Sequence, residues 1–418
     1  MRQVAVLLGL ALSLACSFAA PASADQQHWV SAWGSAQMVP DAPNQLPESA
    51  WRDASLRQFV RLSLPLSSQL RVRVSNVFGT APLLIDGATV ALAKQAGDAD
   101  LQPGSVRVLR FNGAEKVAVP PGAEYLSDPV ALEAPAGATL AISLHFLSDP
   151  GRQTSHPGAR SKSYLVPGNQ VAAERWSDAQ TYERWFQLAD VEVRAPRSVG
   201  ALVALGDSIT DGYGVKADTN TRWTDFLFER LQGEKQAPMA IVNTGIGGGR
   251  VLREGLGPAV VARFERDVLG RSGVTHALVL AGVNDFGVQH RNGEDSEAAR
   301  AQLLVDLQTA WRVLVERAHA QGICVIGGTV TPYASNDYYH PSADNEADRQ
   351  ALNAWIRSSG VFDAVADFDA ALRDPARPDR LAPSVDIGDG LHPGVAGHKA
   401  LAEAVPLEAL RSCKWNKP

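Results

Sequence analysis

The chain has 418 residues, of which 45% are hydrophobic and 20% charged, and its formal net charge is −6. This composition is typical of a globular protein with ample core material, and the length exceeds one ordinary core, which predicts two domains. The mildly acidic balance without a basic block argues against nucleic acid or an anionic membrane surface as a partner.

The first residues have the features of an export signal. An apolar run covers residues 4–20, and small residues typical of a cleavage site follow it. A membrane anchor is the alternative, but the run is short and ends in small residues. Cys16 could accept a lipid, although Ser13 stands where such signals normally have a bulky aliphatic residue. We therefore expect a cleaved signal peptide over residues 1–24 and a periplasmic or secreted protein.

Residues 25–196 have the pattern of an all-β domain. Apolar and charged residues alternate strictly over 70–74, as in a half-buried strand. Similar short runs, separated by turn signals, occur at 28–33, 56–64, 69–74, 84–92, 105–111, 139–146 and 184–193. This spacing predicts a β-sandwich or jelly-roll accessory domain. Trp33, Trp176 and Trp185 could stack on sugars if exposed, but tryptophan in a sandwich is more often part of the core.

Residues 197–418 change to alternating strands and helices. Apolar runs typical of buried parallel strands lie at 201–205, 240–242, 276–280, 323–327 and 361–365. Amphipathic stretches lie between them, and a last helix is predicted over 395–410. This alternation predicts a doubly wound α/β/α domain.

The segment 202–214 combines the first of these strands with a polar turn. Gly206-Asp207-Ser208 follows the strand, where open α/β sheets present their ligands. A serine on such a turn can have its hydroxyl clear of the sheet and backbone N–H groups beside it, as a nucleophile requires. The alternative is an ordinary corner that Asp207 and Ser208 only cap. Thr210 stands where the G-x-S-x-G elbow has its second glycine, so that motif is absent.

Three further segments lie at strand ends or before a helix. Residues 243–249 include four glycines, whose N–H groups an anion could reach, and residues 282–285 include Asn284. Near the C-terminus, Asp389 precedes His392 by three residues, a spacing that can place the carboxylate on imidazole Nδ1. Each signal alone has a structural explanation as a tight loop, a turn or a helix start.

Together the four segments resemble the SGNH (GDSL) hydrolase superfamily of esterases and lipases. Gly-Asp-Ser, Asn-x-Gly-x-x-Gly, Gly-x-Asn-Asp and Asp-x-x-His-Pro occur in this order over about residues 198–413, roughly half of the chain. The resemblance implies a flavodoxin-like α/β/α fold. The β-domain in front is similar to the architecture of some secreted carbohydrate esterases, which is an analogy only.

The resemblance implies a role for each matching residue. Ser208 is the expected nucleophile, His392 the expected base and Asp389 its expected partner, with Asp386 as the alternative partner. The N–H of Ser208, the N–H of Gly248 and the side chain of Asn284 are the expected oxyanion donors. Gly248 is the sixth residue of the segment that begins at Asn243. Because Gly247 and Gly249 flank it, the donor could also be one residue away. Asp207, Asp211 and Asp285 are interpreted as loop braces.

The resemblance implies no metal or organic cofactor, so EDTA should leave activity unchanged. Tyr333, Tyr338 and Tyr339 follow a strand end and are candidate substrate-binding residues. We expect an exported esterase that removes acetyl groups from a polysaccharide. A lipase or lysophospholipase is the enzymatic alternative, and an inactive carbohydrate-binding protein is the other. The sequence leaves open whether Cys324 and Cys413 pair, and what the oligomeric state is.

Overall fold

The computed structural model describes residues 27–233 and 239–415. The predicted signal peptide, residues 1–24, lies outside the described residues. No helix among the described residues is long and apolar enough to cross a membrane.

The N-terminal half consists of short strands in antiparallel sheets. In chain order they are β1 Gln27–Gly34, β2 Ala54–Arg61, β3 Gln69–Ser75, β4 Leu83–Leu92, β5 Arg107–Val108, β6 Val117–Val119, β7 Glu124–Leu126, β8 Val130–Ala131, β9 Thr139–Phe146, β10 Ser155–His156, β11 Ser163–Pro167, β12 Gln180–Tyr182, β13 Trp185–Phe186 and β14 Leu188–Pro196. One sheet has the order β1-β14-β3-β7 with β8 on β3, and the larger one the order β12-β11-β2-β9-β4-β5 with β6 on β4. Apolar side chains from both sheets form one core between them, so the all-β fold is confirmed.

Two predicted strands differ from those observed. The run 105–111 contains only the two residues of β5. The run 184–193 is divided into β13 and β14 at Gln187, whose φ is +56°. The additional strands β6, β7, β8, β10, β11 and β12 were not predicted, because two to five residues are too few to show a clear alternation. Trp33, Trp176 and Trp185 are all buried, so they belong to the core and are not stacking platforms.

The C-terminal half is a parallel sheet with helices on both faces. Its strands are β15 Ala201–Gly206, β16 Ala240–Gly245, β17 Val274–Leu280, β18 Cys324–Gly328 and β19 Ala364–Ala366. Its helices are α1 Ser208–Asp211, α2 Trp223–Gln232, α3 Val260–Phe264, α4 Val283–Arg291, α5 Glu297–Ala320, α6 Ala343–Ser358, α7 Phe368–Leu372 and α8 Val395–Ala404. The predicted last helix ends early, because Pro406 cannot continue it, and a 3₁₀ turn follows at Leu407–Leu410.

The strand order β16-β15-β17-β18-β19 places the first strand of the domain between the second and the third. This is the order of flavodoxin-like folds, in which ligands bind where the winding reverses, at the carboxyl ends of the first and third strands. Helices α3 to α6 cover one face of the sheet, and α2, α7 and α8 cover the other. The α/β/α fold is therefore confirmed, and the turn after β15 lies at the switch point.

The two halves share packing and hydrogen bonds. The core of the β-sandwich continues into Ala201 and Ala240, at the start of the parallel sheet. The Ser63 hydroxyl accepts a hydrogen bond from the Ile241 N–H at 2.9 Å. The boundary between residues 196 and 197 stays a prediction.

A disulfide joins Cys324 to Cys413 and attaches the C-terminal segment to the first residue of β18. The sequence could not decide this pairing, because 89 residues separate the two cysteines and only the fold brings them together.

Candidate active site

The turn after β15 positions Ser208 at the switch point. Every residue of β15 is buried, and the Asp207 carboxylate accepts the Ile209 N–H at 3.0 Å, which caps α1. A Cβ on Gly206 would lie 2.3 Å from Thr210 Oγ1 and 2.6 Å from the carbonyl oxygen of Leu280. Only glycine fits this approach, so the strand can end in a tight turn with Ser208 as the first residue of α1.

Ser208, His392 and Asp389 form a continuous chain of hydrogen bonds. The Ser208 hydroxyl donates to His392 Nε2 at 2.8 Å, and His392 Nδ1–H donates to Asp389 Oδ2 at 2.6 Å. Ser208 and His392 are buried except for the side that faces a cavity. A hydroxyl, an imidazole and a carboxylate in this sequence are able to pass a proton from the serine to the histidine.

The loop before α8 fixes the carboxylate that faces the histidine. Asp389 Oδ1 accepts the backbone N–H groups of Leu391 and His392, at 3.0 and 2.8 Å, which leaves Oδ2 for the imidazole. The Asp386 carboxylate instead accepts the N–H groups of Gly388 and Gly390. Asp386 therefore braces the loop; it has no hydrogen bond to His392 in the described part of the chain, and only its charge acts on the imidazole.

Burial and the neighbouring charges set the protonation of this pair. Burial lowers the pKa of His392 below its ordinary value; Asp389 opposes this shift, whereas the positive charge of Arg160 adds to it. Burial alone would raise the pKa of Asp389, but the donors of His392 more than offset it, so its pKa lies below the usual value. At neutral pH the pair is a neutral imidazole beside a carboxylate, the state in which Ser208 can give up its proton.

The lowered pKa of His392 predicts how kcat/KM depends on pH. Only neutral His392 accepts the serine proton, so activity should rise with pH through the lowered pKa of His392, with a midpoint below about 6.5. Arg160→Met removes a positive charge and should raise the pKa of His392, so the rising part of the pH profile should move to higher pH. Initial rates between pH 4 and 9, with folding followed by circular dichroism, test this. A limb centred above pH 7 in the wild type would contradict it.

The three expected oxyanion donors, Ser208, Gly248 and Asn284, line one cavity. Gly248 has a φ of +67°, which glycine adopts without strain and which the loop after β16 requires. Asn284 lies in the first turn of α4; its Nδ2 donates to the Gly249 carbonyl at 2.9 Å, and its Oδ1 accepts the Tyr339 hydroxyl at 2.6 Å. These bonds fix the amide and leave its second N–H for a ligand.

If the resemblance drawn from the sequence holds, Asn284→Ala should lower kcat on an acetyl ester by about 10²–10³, because one donor to the developing oxyanion is lost. The exposed Asn292→Ala, just beyond the same helix, is the matched control and should leave kcat unchanged. Steady-state kinetics of both variants, with thermal unfolding as the check on folding, measure the effect. Normal turnover in Asn284→Ala would remove this residue from the oxyanion site.

Three carboxylates near Ser208 support the loops around it. Asp285 accepts the N–H groups of Val251 and Leu252, and Asp211 accepts a hydrogen bond from His156 of the β-sandwich at 2.9 Å. Burial raises the pKa of Asp207 to about 7 and that of Asp285 to about 6. None of the three has a hydrogen bond to Ser208 or His392, which agrees with their interpretation as braces.

The three candidate tyrosines lie in different places. Tyr338 is 59% exposed and lines the cavity, whereas Tyr339 is buried there and orients Asn284. Tyr333 is fully buried behind Tyr339 and does not line the cavity. Tyr333 is therefore part of the core and is removed from the substrate-binding set. Burial raises its pKa well above the ordinary tyrosine value.

The cavity at Ser208 has a volume of about 890 Å³. Arg250 and Val288 line both this cavity and a second one of about 670 Å³, so the two cavities are neighbours.

The sequence analysis did not identify Tyr213, whose ring centroid lies 4.2 Å from that of the His392 ring. Its position in Asp-Gly-Tyr-Gly, directly after α1, was an available signal. His156 could not be found in this way, because it reaches the site from the other half of the chain.

Part of the chain matches one protein family, and several solved structures are similar to it. Residues 204–400 match the GDSL-like lipase/acylhydrolase family. Among solved structures, the chain is similar to the acetylxylan esterase Axe2 from Geobacillus stearothermophilus, with 22% identity, coverage of 52% of this chain and 96% of that one, and a TM-score of 0.38. It is also similar to a GDSL-like lipase from Bacteroides thetaiotaomicron VPI-5482, with 19% identity, coverage of 50% and 87%, and a TM-score of 0.37. No curated protein matches the sequence.

The family match over residues 204–400 identifies the protein as a carboxylic ester hydrolase. This match lies within the C-terminal domain and covers slightly less than half of the chain.

Proposed function

We propose that the protein is an exported serine esterase that removes acetyl groups from a carbohydrate through a Ser-His-Asp acyl-enzyme mechanism. The observation that carries the mechanism is the hydrogen-bonded chain from the Ser208 hydroxyl through His392 to Asp389, at the floor of an open cavity.

In the first half of the reaction, Ser208 Oγ attacks the ester carbonyl carbon while His392 Nε2 takes the hydroxyl proton. The oxyanion accepts hydrogen bonds from the N–H groups of Ser208 and Gly248 and from Asn284 Nδ2. His392 then gives its proton to the leaving alcohol oxygen as the C–O bond breaks. Asp389 holds the imidazole in the required tautomer and stabilises its cationic form.

In the second half, a water molecule takes the place of the alcohol. His392 removes one of its protons as it attacks the acyl carbon, and the collapse of the intermediate returns the proton to Ser208 Oγ and releases acetate. These steps need no metal or organic cofactor, so treatment with EDTA should leave the rate unchanged.

Two exposed aromatic rings at the cavity support a carbohydrate. Tyr213 and Tyr338 both line it, with 48% and 59% of their surfaces exposed, and flat amphipathic rings suit the faces of sugars. Leu256, 68% exposed at the same cavity, is the observation that favours the second candidate, a lipase or lysophospholipase. A single exposed leucine offers little apolar area to an acyl chain. Nucleic acid is not proposed as a partner.

A substrate panel tests the proposal. Acetylated xylan, acetylated pectin, short and long p-nitrophenyl esters and lysophospholipid are compared for the wild type and Ser208→Ala. We expect release of acetate from a saccharide and a preference for the short ester, both lost in the variant. A preference for the long ester or for lysophospholipid would favour the second candidate.

Export is a separate part of the proposal and has its own test. The chain expressed from Met1 in a bacterial host should be recovered outside the cytoplasm, and the mass of the recovered protein should correspond to cleavage after Ala24. Recovery of the uncleaved chain from the cytoplasm would contradict export.

A further inference from the structure

Two arginines line the cavity at Ser208. Arg250 follows β16 and Arg291 ends α4. Neither makes an ion pair within 4 Å among the described residues. Arg250 donates to the carbonyl of Glu254, and the Arg291 guanidinium lies 4.2 Å from the Tyr338 ring centroid. A guanidinium has five N–H donors and no acceptor, so both side chains keep donors for a ligand.

The carboxylates nearby form no ion pair within 4 Å with either arginine in the ranges that the structure describes, although Arg250 acts electrostatically on Asp285. Asp389 is bonded to His392, and both oxygens of Asp285 accept backbone N–H groups. Asp337 lines the cavity and is exposed, but it forms no ion pair with either arginine. Both arginines act electrostatically on the Tyr339 phenol, which bonds Asn284. Asp207 acts on the same phenol in the opposite direction, so the two arginines lie near Asn284 without alone setting the charge there.

The β-sandwich adds a third arginine on the other side of His392. The Arg160 guanidinium lies 5.7 Å from the Tyr213 ring centroid, and Tyr213 packs on His392. Arg160 Nε is buried and has no hydrogen-bond partner. The loop that carries it is held by Asp218, which donates its N–H to the Arg160 carbonyl at 2.9 Å. Arg160 does not line the cavity at Ser208, so its charge acts on His392 and not on the part of the cavity that Arg250 and Arg291 line.

We propose, on the basis of the serine esterase function above, that the natural substrate is an ester of an acidic saccharide, whose carboxylate is bound by Arg291 and Arg250. Guanidinium groups bind carboxylates through charge-assisted and often paired hydrogen bonds. The exposed ring of Tyr338 under Arg291 favours a sugar over a lipid phosphate as the bearer of the anion. The neighbouring cavity beyond Arg250 offers room for further sugar units.

The test compares substrates that differ only in charge. Wild-type kcat/KM is measured on an O-acetylated methyl glucuronoside and on its neutral 6-carboxamide, with acetylated glycerol 3-phosphate as the phosphate substrate. We expect the glucuronoside to exceed the amide by about tenfold or more at low salt. Arg250 is half-buried and Arg291 is exposed, so salt should screen their effect, and the ratio should fall towards one near 1 M NaCl.

Variants assign this preference to the arginines. Arg291→Gln should reduce the charged-to-neutral ratio at least about fivefold, and Arg291→Lys should retain part of it because the charge remains. Arg312→Gln is the matched control: its guanidinium also stacks on an aromatic ring, 5.3 Å from the Trp355 centroid, but it lies outside the cavity. It should leave the ratio unchanged.

The outcomes separate this inference from the proposed function. Equal rates on the acid and its amide, or an unchanged ratio in Arg291→Gln, would overturn the inference while hydrolysis itself stands. A preference for the phosphate substrate over the glucuronoside would replace the saccharide by a phosphate-bearing ester. An inactive wild type on all substrates, including p-nitrophenyl acetate, would overturn the proposed function and this inference with it.

Discussion

Ser208→Ala is expected to lower kcat on an acetyl ester by about 10⁶, the size of effect that loss of a serine nucleophile has in triad hydrolases. The substitution removes only a hydroxyl whose hydrogen bond goes to His392, so the fold should not change. Ser358→Ala is a suitable control, because Ser358 is an exposed hydroxyl that bonds the Ala354 carbonyl at the end of α6.

The comparison requires protein free of host esterases. The wild type and the two variants should have the same unfolding temperature, and only Ser208→Ala should lose the burst of product that marks acylation. A rate within tenfold of the wild type in Ser208→Ala would exclude this residue as the nucleophile and would direct attention to a different site.

Asp389→Asn is expected to lower kcat by about 10⁴ through the tautomer of His392. In the wild type Oδ1 accepts two backbone N–H groups and Oδ2 accepts the imidazole Nδ1–H. In Asp389→Asn, the amide oxygen can replace Oδ1 and accept the two backbone N–H groups. The NH₂ group then faces His392 Nδ1, which must become a hydrogen-bond acceptor. The remaining proton moves to Nε2, and the imidazole can no longer take the proton of Ser208.

Asp386→Asn is the control for Asp389→Asn, because it removes a negative charge from the same loop without changing the hydrogen bond to His392. Asp386 bonds only the Gly388 and Gly390 N–H groups, so its variant should retain activity within about tenfold of the wild type. The two variants are compared by kcat at the pH of maximum rate, with His392 observed by NMR. A larger loss in Asp386→Asn than in Asp389→Asn would reverse the assignment of the histidine partner.

The sequence could predict that the candidate residues lie close together, because parallel strands end at a common edge of the sheet. Ser208, Gly248 and Asn284 each follow a different buried strand, and the pattern of each strand was readable from its apolar run. The order of those strands makes the three segments neighbours at the switch point. Asp389 could be preferred to Asp386 from its spacing, but only the loop geometry decides between them.

The parts that could not be predicted depend on contacts between distant segments. Tyr333 and Tyr338 have the same local signal, yet one is in the core and the other at the cavity, since the fold of the intervening turn decides which ring is covered. Arg160 and His156 reach the site from the β-sandwich, and no pattern within that half of the chain indicates what it packs against. The positive φ of Gln187 interrupts the strand there, and the alternation of apolar and polar residues in the sequence does not indicate this interruption.

Covalent labelling with a fluorophosphonate tests the central claim most directly, because the reagent reacts with a serine only when a base and oxyanion donors activate it. Intact-mass and peptide analysis of the labelled protein should give one adduct per chain, located on Ser208, and no adduct in Ser208→Ala. A protein that hydrolyses acetyl esters but carries its label on another residue, or none at all, would contradict the account.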